Sequence, residues 1–188
     1  MVMDNTWLND DGLYIKFGKT EGVSRTQGGF VCKSGPFLDY WLTLDLTTLD
    51  ANENIQNDVL VIPKNATILS VTTIAIDAAA TGTAIDVGLI ANDRNASNAD
   101  FTADPNGLLA AAPTANMNSD GEISVYQIAV TIPTGLTGTG ALVGTIIPVP
   151  TLITASRTDA TAFTAGSILM GIRVVPESLV GYDQTHVG

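Results

Sequence analysis

Asp58–Ala91 reads DVLVIPKNATILSVTTIAIDAAATGTAIDVGLIA, and its pattern decides the fold class. Val59–Ile62 is a short apolar run that stops at Pro63, which has no N–H to give a ladder. Lys64-Asn65 supplies a turn. Ile68–Asp77 is rich in β-branched residues, which suit a pleated, half-buried strand. Ala78–Thr83, small residues around Gly82, makes a second turn. Ile85, Val87 and Leu89 then alternate with Asp86 and Gly88, the period of a strand with one buried face. Strand, turn, long strand, turn, strand is the middle of an antiparallel β-sandwich. The stretch contains no reactive constellation.

Working outward, Phe37–Thr47 (FLDYWLTLDLT) alternates most clearly. Leu38, Tyr40, Leu42, Leu44 and Leu46 share one face; Asp39, Trp41, Thr43 and Asp45 share the other. Ser167–Val175 places Ile168, Met170, Ile172 and Val174 opposite Leu169, Gly171, Arg173 and Val175. In Glu122–Ile132, Ser124, Tyr126, Ile128, Val130 and Ile132 form the inward set, and Asp120-Gly121 is a hairpin signal before it. Leu49–Asn57 reads as a polar loop, Asn92–Gly107 as a long turn-rich loop, and Leu108–Met117 as an Ala-rich helical turn limited by Pro113. Ala141–Pro148 and Thr151–Ala155 read as short strands. TGTAIDVGLI (81–90) is echoed by TGTGALVGTI (137–146), a likeness that a Gly/Thr-rich chain also produces by chance. Short strands with frequent turn signals predict one all-β domain, an antiparallel sandwich of jelly-roll type. Leu42, Leu44, Val71, Val87, Ile128 and Ile172 are its expected core.

Residues 1–36 differ from the body (37–175) and from a C-terminal tail (176–188). Their four carboxylates are matched by Lys16, Lys19, Arg25 and Lys33, so the net charge of −11 belongs to residues 37–188. Trp7, Leu13, Tyr14, Ile15, Phe17 and Phe30 sit in short clusters between glycines. A neutral, apolar, Gly-jointed arm on an acidic body suits contact with another surface, through Trp7, Leu13, Tyr14, Ile15, Lys16, Phe17, Lys19, Arg25 and Phe30. The alternative is that the arm adds edge strands to its own body.

Composition removes several functions. Eight Lys plus Arg against 19 Asp plus Glu leave too few cations for phosphate contacts, so no nucleic-acid partner is expected. No run of 18 apolar residues spans a membrane, and the N-terminus has no signal-peptide pattern. Charged residues are only 14% and mean hydropathy is +0.27, so the surface must be largely small and neutral, one that either tolerates long exposure or is partly covered by other subunits. His186, the sole histidine, lies in the tail, which removes Ser-His-Asp and Cys-His arrangements. Cys32, the sole cysteine, has no activating motif and reads as a semi-buried structural thiol. Asp39 with Asp45, and Asp77 with Asp86, are carboxylate pairs better explained as solvated faces. Asp93, Asn95, Asp100 and Asp104 are oxygen ligands without the spacing of a calcium loop. No catalytic residue, cofactor or metal is expected. Trp7, Trp41 or Tyr126 could instead offer a sugar-stacking platform.

Several fragments, in order, resemble the tailed-bacteriophage virion proteins that decorate or cement the head. They are DGLYIKFG (11–18) with Gly28-Gly29 after it, TLDLTTL (43–49), IPKNATILSV (62–71), DVGLIANDR (86–94), GLLAAAP (107–113), GALVGT (140–145), ITA (153–155) and AFTAGSILMGIRVV (162–175). The resemblance covers about Asp11–Val175 and leaves the tail outside. It implies a small β-rich, non-enzymatic protein, made in the host cytoplasm and bound on the capsid exterior. The implied partner is the major capsid protein, and the implied state a homo-oligomer, with a trimer favoured by lattice symmetry.

Overall fold

The computed structural model describes residues 6–8, 14–16, 29–34, 37–92, 101–127 and 136–176, with side chains from residue 29 onward except 34 and 57–59. Twelve strands lie in these segments: β1 Thr6–Leu8, β2 Tyr14–Lys16, β3 Gly29–Ser34, β4 Phe37–Asp45, β5 Asn54–Ile62, β6 Ala66–Ala80, β7 Ala84–Ala91, β8 Asp104–Pro113, β9 Ile123–Gln127, β10 Ile146–Ile147, β11 Thr151–Arg157 and β12 Ala165–Val175. All pairings among them are antiparallel.

The expected all-β sandwich is present. One sheet has six strands in the order β10-β6-β12-β4-β3, with β9 also pairing β6; the other has four in the order β5-β11-β7-β8. β11 and β12 therefore sit inside their sheets, with neighbours on both sides. The alternating faces read from sequence meet between the layers. Leu38, Tyr40, Leu42 and Leu44 from β4 join Ile168, Met170, Ile172 and Val174 from β12, all buried. Ile85, Val87 and Leu89 of β7 close over them from the four-stranded sheet in one apolar cluster. Five of the six expected core residues (Leu42, Leu44, Val71, Val87 and Ile172) are at most 1% exposed. Ile128 lies outside the described residues.

Pairing within Asp58–Ala91 is not that of a meander. β5 and β7 belong to the four-stranded sheet and β6 to the other, so both turns carry the chain from one layer to the other. Each turn uses a left-handed residue, Asn65 at φ 58° and Thr81 at φ 70°. Asn tolerates that conformation well, whereas β-branched Thr81 is held in it: its hydroxyl donates to Ala162 O at 3.0 Å and Thr164 N donates back to it at 2.9 Å. The second turn is thus centred on Thr81, with Ala78–Ala80 still in β6.

Five further readings need correction. Asp104–Gly107, read as the end of the long loop, opens β8, where register to Leu89 gives it a ladder. The polar segment 54–57 is strand, not loop: β5 is an edge strand, and an edge tolerates Asn and Gln facing solvent. Leu108–Pro113 belongs to β8, not to a helical turn, and only Thr114–Asn116 forms a 3-10 turn. Ala is a poor strand former, but Leu108, Leu109 and Ala112 are buried, and burial overrides the preference. Residues 141–145 are turns, leaving only the two-residue β10 as strand. The Asp120-Gly121 turn is real, with Gly121 at φ 78°, yet it joins β8 of one sheet to β9 of the other. It is pinned on β6 instead: Gly121 N donates to Ala75 O, and Ala78 N donates to Asp120 Oδ1, each at 2.8 Å.

Gly29–Ser34, within the stretch read as an arm, is the edge strand beside β4. β1 and β2 form a separate two-stranded ribbon with Trp7 opposite Ile15 and Leu8 opposite Tyr14.

Candidate interaction surface

The carboxylates proposed as pairs are occupied by the fold. Asp45 caps the 3-10 turn Leu46–Thr48, accepting from Thr47 N at 2.9 Å and Thr47 Oγ1 at 2.6 Å. Asp77 accepts from Ser167 Oγ at 2.7 Å. Asp86 accepts from the backbone N–H of Ala111 at 2.7 Å, where a bulge puts Ala111 at φ 49°. Asp39 takes a two-pronged pair from Arg173, Nε at 2.7 Å and an Nη at 3.0 Å. The guanidinium also lies 5.4 Å from the centre of the Phe37 ring. Hydrogen bonding to Asp39, with its charge, pushes the Arg173 pKa further up.

Asp104 accepts only a long bond from Asn106 N, 3.4 Å, while Asp93, Asn95 and Asp100 lie outside the described residues. Among the described residues no three His, Cys, Asp or Glu side chains gather as metal ligands. His186 is outside them too. Cys32 is exposed rather than semi-buried, because β3 is an edge strand and Cys32 points from its outer face. Tyr126 is fully buried, its hydroxyl receiving Asn116 Nδ2 at 3.2 Å, and it cannot serve as a stacking platform. Burial pushes its pKa up.

Of the expected contact residues, the backbone of Trp7, Tyr14, Ile15 and Lys16 falls in the β1–β2 ribbon, with Lys16 opposite Thr6. Phe30 stands on β3, 54% exposed. Leu13, Phe17, Lys19 and Arg25 lie outside the described residues. The structure thus brings Phe30 onto the body; the ribbon is a sheet of its own by hydrogen bonding, with β2 beside β5.

What the fold does assemble is the outer face of the six-stranded sheet. Strand register places Phe30, Trp41, Gly171, Thr72 and Val125 in one row across five strands. The next row holds Thr43, Leu169, Ile74 and Ile123. Neither row has a charge. Ile123 is 63% exposed and Val125 46%, large values for apolar side chains on a sheet. Trp41 lies flat over Gly171, where an added Cβ would meet the indole ring at 2.6 Å. The rows are flanked on one side by Cys32, Asp39, Arg173, Ser70 and Gln127, and on the other by Asp45, Ser167 and Asp77. An uncharged, partly apolar band on a chain of net charge −11 is the kind of surface that other proteins' interfaces use.

No family model matches the chain, and no curated protein matches it. Solved phage capsids are among the structures to which the chain is distantly similar. The capsid of Ralstonia phage GP4 is 15% identical with a TM-score of 0.47, over 76% of this chain and 86% of that one. The capsid asymmetric unit of cyanophage Pam1 is 16% identical with a TM-score of 0.40, over 85% and 94%. At these scores neither match establishes a shared fold.

Proposed function

We propose that the protein is a non-enzymatic virion component that binds the exterior of a bacteriophage capsid and stabilises its lattice, as a decoration or cement protein. The observation that carries this reading is the separate β1–β2 ribbon. A two-stranded ribbon is marginal in water by itself; β2 lies beside β5, and a second surface on the ribbon's other side would hold it further. Trp7, Leu8, Tyr14 and Ile15 supply the apolar residues for such docking, and the neutral charge of residues 1–36 lets them approach an acidic shell where the body would be repelled. The ordered fragments from Asp11 to Val175 support the identity of the partner, a major capsid protein. Repetition over a lattice makes weak contacts durable through effective concentration.

Purified particles provide the test. Peptide mass fingerprinting should find the chain in virions, and stripped capsids should rebind the recombinant protein to saturation and survive heating better. Its absence from particles, with no rebinding, overturns the proposal. A sugar-binding module is a second reading, favoured by the neighbouring Phe30 and Trp41 rings on the outer face. Retention on a glycan array that is lost in Trp41→Ala would favour it.

A further inference from the structure

We draw no further inference here: the strongest candidate, the uncharged outer face of the six-stranded sheet from Phe30 on the edge strand β3 to Val125 on β9, carries none, because nothing in the structure shows what covers it.

Discussion

Tyr40 sits in the centre of β4 with its ring fully buried and its hydroxyl without a hydrogen-bond partner among the described residues. An unpaired buried hydroxyl loses its hydration and gains nothing in return. Tyr40→Phe should therefore stabilise the fold by about 1 kcal/mol in denaturant melts. Burial also pushes the Tyr40 pKa well above its ordinary value. The sign follows from linkage. At neutral pH the phenol is protonated in both states and costs nothing by ionisation. Above pH ~10 the unfolded chain releases the proton while the folded chain cannot, so stability falls as pH rises. Wild type should lose stability from about pH 10 upward, and Tyr40→Phe should lose less, with Tyr126 supplying part of the remainder. Equal alkaline slopes for the two proteins would contradict this.

At the scale of elements, β7 and β8 are held together across a bulge rather than by a regular ladder. Ala111 occupies a left-handed conformation there, which costs an L-residue about 1–2 kcal/mol, and the Asp86 carboxylate on its N–H keeps it in place. Ala111→Gly should be stabilising by about 0.5–1 kcal/mol after the larger unfolded-state entropy of Gly is counted. Asp86→Ala should destabilise by about 1–3 kcal/mol because the Ala111 N–H loses its acceptor. On β4, Leu44→Ala should cost about 2–5 kcal/mol, since its side chain is 1% exposed in the middle of the core. The faces of β4, β7 and β12 were legible in sequence because alternation reports which side is buried. Alternation does not report which sheet a strand joins, so the layer changes at Asn65 and Thr81 were hidden. The first half of β5 and all of β8 were missed for related reasons: polar residues on an open edge look like a loop, and buried alanines look like a helix. Of the outer face, the individual residues of β4, β9 and β12 could be read as outward-facing. Their assembly into two uncharged rows depends on register between strands far apart in sequence, as with Thr43 opposite Leu169 and Ile74 opposite Ile123.

At the scale of the whole molecule, charge and connectivity divide the chain at β3. Gly29–Ser34 is laddered to β4, whereas β1 and β2 pair with each other. Deletion of residues 1–28 should therefore leave the sandwich folded, with at most a small drop in denaturation midpoint from the lost contact of β2 with β5. Binding to stripped capsids should be lost, because each apolar side chain buried by the ribbon contributes about 1.5–3 kcal/mol before ordering costs. Unchanged affinity of the truncated protein would move attachment to the body.

The inner position of β11 and β12 also governs the order in which the molecule can be made. β5 and β7 have no ladder to each other until β11, residues 151–157, is inserted between them; β4 and β6 wait in the same way for β12. A ribosome adds about 5–20 residues per second, so the earlier strands spend seconds as unpaired edges before either sheet can close. Folding should be slow and nearly all-or-none, as expected when most pairings are distant in sequence. Nascent chains halted before residue 165 should remain protease-sensitive and bound by chaperones, however complete the strands that precede β12.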